Sequence, residues 1–259
     1  MESLMKLLTK TAIIFALATP ASTILAADFY ETINASPGEK LNLATHSGSI
    51  RIRTHNEDSV IVDVDVSGKH EDEFTVTVDR RGDEIVVLGE KENRNSWNGL
   101  NVKFDVVVPK NFELTLRTAG GSIDIDDLEG NVEANTSGGS ISVGDIIGDI
   151  DLHTSGGSIR TDNIYGEIDA HTSGGSIDVT FAQQPSENAS LTTSGGSIRA
   201  SFPENVAIDI DASTSGGRVK SEFEVDGRVK KQSIRGQING GGPQIDLRTS
   251  GGSVSIYKK

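Results

Sequence analysis

Residues 118–171 read TAGGSIDIDDLEGNVEAN, TSGGSISVGDIIGDIDLH and TSGGSIRTDNIYGEIDAH, three copies of one pattern repeated every 18 residues. The motif Thr-Ser/Ala-Gly-Gly-Ser/Arg-Ile/Val starts at Thr118, Thr136, Thr154, Thr172, Thr193, Thr214 and Thr249. A fainter copy starts at Thr45. Because self-similarity at a fixed period is the signature of repeat architectures, the sequence predicts a stack of equivalent units.

Within each copy, apolar residues recur in fixed columns, as Ile123, Ile141 and Ile159 illustrate. Apolar and polar residues alternate on both sides of a central glycine, which is typical of half-buried strands. A unit of 18 or 21 residues cannot bury its own apolar face, whereas stacked units can pair at a strand spacing of about 4.8 Å. We therefore predict an all-β fold, a parallel β-solenoid, right-handed because parallel crossovers almost always are.

The Thr-Ser-Gly-Gly motif predicts a tight corner between strands. We expect the threonine to bond to the local backbone and to the threonine of the next coil, and the glycines to supply positive φ angles. A phosphate-binding loop is excluded, because no helix follows the glycines and no lysine accompanies them.

The first 26 residues resemble a secretory signal peptide. Lys6 and Lys10 precede the apolar stretch 11–18, and we expect cleavage after Ala26. No later segment is long and apolar enough to predict a membrane span. The sequence therefore predicts an exported chain without a membrane span after cleavage.

The two ends of the repeat region have different patterns. Residues 27–117 hold longer alternating runs separated by turns, which predict an irregular antiparallel sheet that caps the solenoid and is continuous with it. Residues 118–259 hold the repeats, and the 35-residue interval after Thr214 predicts a hairpin insertion at about 219–247, followed by a final coil.

Composition excludes several classes of protein. The formal net charge is −14 and the pI is about 4.7, which argues against binding to nucleic acid or to anionic lipid. The chain has no Cys, so it has neither disulfides, nor thiolate metal ligands, nor an acylated cysteine anchor.

The repeats also resemble a known family. PKNFEL at 109–114 leads into the tandem TSGGSI copies, and the chain closes with GQINGGGP at 236–243 and RTSGGSV at 248–254. These stretches are similar to the bacterial family of exported β-strand-repeat proteins labelled "putative adhesins", a domain-of-unknown-function family. The resemblance covers roughly residues 40–259 and implies a β-solenoid protein of the cell envelope. It implies no catalytic residues.

The sharpest candidate site is a pair of stacked sequences, Asp151-Leu152-His153 and Asp169-Ala170-His171. Imidazole and carboxylate groups about 5 Å apart could bind Zn²⁺, and a column of carboxylates could bind Ca²⁺. A Ser-His-Asp relay is disfavoured, because alternate side chains of a strand stand about 7 Å apart. The alternative to a metal site is a solvated polar ladder, since other copies replace the histidine with Asn135 or Thr192.

Trp97 is the only tryptophan, in a stretch rich in Asn and Ser. It could stack on a sugar or anchor a partner protein, or it could fold back over the end of the solenoid.

The sequence thus predicts a non-enzymatic exported protein that acts as a structural or interaction module, adhesin-like, in the periplasm or at the cell surface. Its partner would be a protein or a glycan of the envelope or of an external surface. Two alternatives stay open at this point: a periplasmic accessory of envelope-stress signalling that binds a membrane-protein ectodomain, and a polysaccharide-acting β-helix enzyme. The scattered basic residues count against the enzyme.

Overall fold

The structure is a computed structural model that describes residues 22–25, 28–91 and 99–259. Two large β-sheets, A and B, face each other, and their inward side chains form one apolar core. A short 3₁₀ helix, Glu71–Glu73, connects two strands near one end. The described residues contain no α-helix, and hence no helix long and apolar enough to cross a membrane.

Sheet A runs through the whole stack. In spatial order it contains β1 (Ser22–Leu25), β6 (Phe74–Arg81), β7 (Glu84–Lys91), β3 (Lys40–Thr45), β9 (Glu113–Thr118), β12 (Val132–Thr136), β15 (Ile150–Thr154), β17 (Ile168–Thr172), β19 (Ala189–Thr193), β25 (Gln244–Thr249), β21 (Ile208–Thr214), β24 (Ser233–Ile238) and β23 (Asp226–Lys230).

Sheet B lies opposite. In spatial order it contains β2 (Asp28–Asn34), β5 (Ser59–Gly68), β8 (Leu100–Pro109), β4 (Ser49–His55), β10 (Ile123–Ile125), β13 (Ile141–Val143), β16 (Ile159–Ile164), β18 (Ile177–Phe181), β20 (Ile198–Phe202), β26 (Val254–Lys258) and β22 (Val219–Ser221). Two short strands, β11 (Leu128–Glu129) and β14 (Ile146–Ile147), pair in parallel. Along the chain, each of them follows a strand of sheet B and precedes a strand of sheet A.

The register of the parallel strands confirms the predicted columns. Ile123 lies beside Ile141, which lies beside Ile159, and all three side chains are buried. Each 18-residue coil therefore places the same residue type on its neighbour, and the predicted all-β parallel solenoid is confirmed. The hand of the coil stays a prediction.

The corner threonines are buried and bond to the neighbouring coil. The Thr154 hydroxyl donates to the carbonyl oxygen of Gly139 at 2.7 Å, and Thr172 donates to that of Gly157 at 2.7 Å. The same oxygen of Thr172 accepts the N–H of Gly175 at 3.3 Å. The expected bond to the local backbone is thus confirmed, whereas the expected bond between threonines is wrong: the hydroxyl donates instead to a glycine carbonyl oxygen of the neighbouring coil.

The paired glycines are required by close stacking and not by backbone angle. A Cβ atom at Gly139 would lie 2.1 Å from the carbonyl oxygen of Gly121, and one at Gly157 would lie 2.0 Å from that of Gly139. Positive φ angles occur at other glycines, such as Gly82 and Gly240. The expectation of positive φ in the Gly-Gly corner is therefore wrong: any side chain there would push adjacent coils apart.

Polar side chains outside the corner also link successive coils. The backbone N–H of Ser140 donates to the hydroxyl of Ser122 at 3.2 Å, and serines repeat this bond along the stack. The N–H of Asp145 donates to the Asp127 carboxylate at 2.9 Å, one coil away. Several serines and aspartates that look like free surface residues in the sequence therefore satisfy backbone groups.

The final coil in the sequence is not the final coil in space. Strands β25 and β26 lie between β19/β20 and β21/β22, with parallel neighbours on both sides. The hairpin consists of β23 and β24, and β24 pairs antiparallel with β21. Val219–Ser221 thus belongs to a coil and not to the hairpin. Gly240 and Gly241, at φ of 92° and 83°, help the chain turn back from β24 towards β25.

The opposite end has the same arrangement. Strands β3 and β4 lie between β7/β8 and β9/β10, all in parallel, and β2, β5 and β8 then pair antiparallel. In sheet A, β6 and β7 pair antiparallel and β1 adds to β6. Most of the predicted signal peptide lies outside the described residues, and its cleavage stays a prediction.

The last strand of sheet B at this end carries a charged residue on its core side. Glu31 lies opposite Val62 and on the same side of β2 as the buried Phe29. Burial raises the pKa of the Glu31 carboxyl group.

We expect Gly157→Ala to reduce the free energy of unfolding by about 2–3 kcal/mol, because the new methyl group overlaps a backbone carbonyl of the next coil. Gly82→Ala is the control, since Gly82 has a φ of 68° and no atom within 4 Å of the added Cβ, which leaves only a backbone cost of about 1 kcal/mol. Urea denaturation of both variants measures the difference. Equal losses would contradict the stacking requirement.

We expect Glu31→Gln to raise the melting temperature slightly at neutral pH. A raised pKa in the folded state means that folding disfavours the charged carboxylate, so the substitution removes a penalty present above the folded-state pKa. The gain should disappear as the pH falls below the ordinary pKa of glutamate, where the carboxyl group is neutral in both states. Thermal melts across this pH range test the sign, and a destabilised variant at neutral pH would contradict it.

Candidate functional site

The predicted histidine pair lies on the outer face of sheet A. Strand β15 points Leu152 and Thr154 inward, where both are buried, and this leaves Asp151 and His153 on the surface. One coil further, Asp169 and His171 take the equivalent positions, in register with Asp151 and His153.

The two imidazole rings stack face to face. Their centroids are 4.9 Å apart with an angle of 29° between the planes. His153 Nδ1 lies 3.5 Å from an Asp151 carboxylate oxygen. The four groups therefore form two parallel rows, and the nitrogen and oxygen atoms do not point at a common centre.

This geometry does not form a metal cage. Within residues 22–25, 28–91 and 99–259, no three His, Asp or Glu side chains come together closely enough to hold a metal ion. Neither Ser155 nor Ser173 hydrogen-bonds to a histidine, so these serines form no Ser-His-Asp relay with the histidine pair. Trp97 lies outside the described residues.

A groove beside the histidines is lined by carboxylates, and we call it the acidic groove. It has a volume of about 420 Å³ and lies on the outer face of sheet A. Its charged residues are Lys40, Glu113, Glu133, Asp149, Asp151, Glu167 and Asp169. Six acidic side chains thus face one basic side chain, which lies at one end.

Register explains why the carboxylates gather there. Glu133, Asp151 and Asp169 form one column, and Glu113, Asp149 and Glu167 belong to the adjacent column. Adjacent strands are about 4.8 Å apart, so like charges in a column repel unless they are screened or paired.

Only part of this charge is compensated within the described chain. Arg117 pairs with Glu133 at 2.5 Å, and Asp149 accepts the backbone N–H of Glu167 at 3.0 Å. Glu113, Glu167 and Asp169 make no ion pair with any described residue. The acidic groove is therefore a surface with net negative charge, held on a rigid sheet.

Only one of the two columns was predicted from the sequence. The prediction included the column of Asp151 and Asp169 but not the adjacent residues Glu113, Asp149 and Glu167. The signal was present, because Asp149 and Glu167 are 18 residues apart and precede equivalent strands. Asn131 occupies the same column between Glu113 and Asp149, and this uncharged residue hides the charge pattern in the sequence.

A second groove, on sheet B, has mixed charge. It has a volume of about 510 Å³, and Arg51 and Arg160 lie in it among aspartates such as Asp124 and Asp162. At its edge, the hydrogen bond that Arg53 donates to the Asp105 carboxylate raises the pKa of the Arg53 guanidinium group. Because opposite charges neutralise each other here, this face resembles an ordinary charged surface.

We expect neither Zn²⁺ nor Ca²⁺ to stabilise the protein through the histidine pair, because the ligand rows do not converge. A specific site would add about 2.7 kcal/mol at a hundredfold excess of metal over Kd. Thermal melts with each metal measure this, with His153→Ala/His171→Ala as the matched variant. A metal-dependent gain that disappears in the variant would show that the pair does bind metal.

Comparisons with known proteins agree with the fold. The family described as Toastrack DUF4097 matches residues 38–167 and 113–257. No curated protein matches the chain.

Three solved structures are similar at 12% identity, and each alignment covers 90% of this chain. They are a "putative adhesin" from Bacteroides fragilis NCTC 9343 (97% of that chain covered, TM-score 0.42), a "putative cell adhesion protein" from Clostridium sporogenes ATCC 15579 (100%, 0.37) and a "putative adhesin" from Parabacteroides distasonis ATCC 8503 (97%, 0.34). The two matched segments of the family together span most of the chain, and the protein belongs to the Toastrack DUF4097 family.

Proposed function

We propose that this protein is a non-enzymatic interaction module of the bacterial cell envelope, exported to the periplasm or the cell surface. In this proposal the acidic groove binds a cationic segment of a protein or glycan partner. The observation that carries the proposal is the groove itself: six carboxylates and one lysine, on a sheet whose strands are paired on both sides.

Rigidity supports a binding role. The backbone of each coil is fixed by hydrogen bonds to two neighbours, and the corner threonines are buried. A surface that is ordered before binding loses little conformational entropy when a partner docks. The carboxylates of Glu167 and Asp169 make no ion pair with any described residue, so a basic partner would meet unpaired charge.

The geometry gives less support to an enzyme. Hydrolysis of a polysaccharide uses two carboxyl groups that flank the scissile bond from opposite sides. The carboxylates of the acidic groove stand in two columns on one face of sheet A, and the groove's only Lys or Arg, Lys40, lies at one end. The envelope-stress reading differs from the proposal only in the identity of the partner, which would be a membrane-protein ectodomain.

We expect Asp151→Asn/Asp169→Asn to weaken binding of a cationic probe about tenfold, because two carboxylates leave the groove. The probes are a fluorescent oligolysine peptide and a chitosan oligomer, which represent a basic protein segment and a cationic glycan. Fluorescence anisotropy at low salt measures both affinities.

The matched control is Asp124→Asn/Asp178→Asn, which removes the same charge from the outer face of sheet B. Asp124 and Asp178 occupy one column there, with Ser142 and Arg160 between them. Equal weakening by both double variants would mean that the probes sense net charge alone. That result would remove the acidic groove from the proposal.

A further inference from the structure

The two ends of the solenoid expose unpaired strand edges. In sheet B the stack ends at β2 on one side and β22 on the other, and in sheet A it ends at β23 on the latter side. All five residues of β23 are exposed. Such edges carry free N–H and C=O groups that can pair with another strand.

The end formed by β22 and β23, which we call the basic end, is positively charged. Residues 218–259 contain nine Lys and Arg against four Asp and Glu, which gives them a formal charge of +5. Since the whole chain has a formal charge of −14, residues 1–217 have a formal charge of −19. Five exposed cations make no ion pair with described residues: Arg218, Lys220, Arg228, Lys230 and Lys231. Arg235 and Arg248, in contrast, pair with Asp211.

The opposite end, formed by β2 and β5, is acidic, and we call it the acidic end. Glu31 lies on the core side of the open strand with no cation beside it. Asp63 and Asp65 are exposed on the outer side of β5, the strand next to β2, and make no ion pair. Asp65 lies opposite Lys103 in the ladder, but residues 28–91 contain fourteen Asp and Glu against seven Lys and Arg, a formal −7, so this end is acidic as a whole.

The exposed apolar side chains point to the same two ends. Among the described residues, the two large apolar side chains with the highest exposure are Tyr30, at 66%, and Val229, at 61%. Tyr30 lies on β2 at the acidic end, and Val229 lies on β23 at the basic end. Each end therefore offers an open edge, an exposed apolar group and a net charge of one sign, since five unpaired cations at the basic end outnumber the exposed acids Glu224 and Asp226.

We propose that copies of this chain associate head to tail, with the basic end of one copy against the acidic end of the next. Two basic ends repel each other, as do two acidic ends, so charge permits only the unlike pairing. Such a contact is heterologous: it uses two different surfaces of the same molecule and can continue through further copies. The proposal does not depend on the acidic groove.

Sedimentation velocity of the purified protein at increasing concentration tests this association. At about 0.01 M salt, where the Debye length is about 30 Å, we expect concentration-dependent dimers and larger species. At about 1 M salt, where it is about 3 Å, we expect these species to dissociate. We expect Lys230→Gln/Lys231→Gln to weaken association about tenfold at low salt.

Two controls give the test its direction. Arg160→Gln/Arg199→Gln removes the same charge from interior strands of sheet B, away from both ends, and should leave association unchanged. Asp63→Asn/Asp65→Asn should weaken association from the other end. An equimolar mixture of the Lys230/Lys231 and Asp63/Asp65 variants should form dimers and no larger species, because each variant keeps one competent end.

Three results would overturn the proposal. The first is a monomer at every concentration at low salt. The second is a failure of the variants to behave as expected: either the Lys230/Lys231 variant associates as strongly as the unaltered protein, or the mixture of the two variants stays monomeric. The third is a monomer that binds phosphatidylglycerol vesicles through Lys230 and Lys231, which would assign the basic end to an anionic lipid surface.

Discussion

From Thr118 onwards, each corner threonine donates the same buried hydrogen bond, from its hydroxyl to the carbonyl oxygen of a glycine in the neighbouring coil. This bond forms only if adjacent corners approach to a strand spacing of about 4.8 Å. A Cβ atom at the second glycine would prevent that approach. The rest of the fold follows from this constraint, because once the corners are in register, the isoleucine columns stack inside and the polar columns stack outside.

The sequence was sufficient for the solenoid because periodicity reports directly on stacking: residues 18 apart, such as His153 and His171, must be neighbours. It was insufficient for the Gly-Gly corner, because a positive φ angle and a close backbone contact both require glycine. The sequence alone cannot distinguish these two requirements. It was also insufficient for the position of β25 and β26. A repeat in the sequence predicts that a coil exists, but it does not predict which coils lie next to it in the stack.

The candidate site shows a similar division. The histidine stack followed from the repeat, but its lack of convergence depends on side-chain angles that no spacing reveals. The acidic groove depends on two neighbouring columns, and Asn131 in one of them interrupts the run of acids. Net charge was also a poor guide to surfaces. An overall charge of −14 conceals an end with a formal +5, because the acidic and basic residues are segregated along the stack.

The position of the last coil has a consequence for how the molecule is made. Strands β25 and β26 are synthesised after β21 and β22, yet they fill an interior layer between β19/β20 and β21/β22. Growth of the stack from one terminus to the other is therefore not a possible order of assembly. A chain that stops before Gln244 is not a shorter solenoid but one with a missing layer. The edges of β19/β20 and β21/β22 that face this layer would then have unpaired backbone groups, and we expect such a chain to be sensitive to proteolysis.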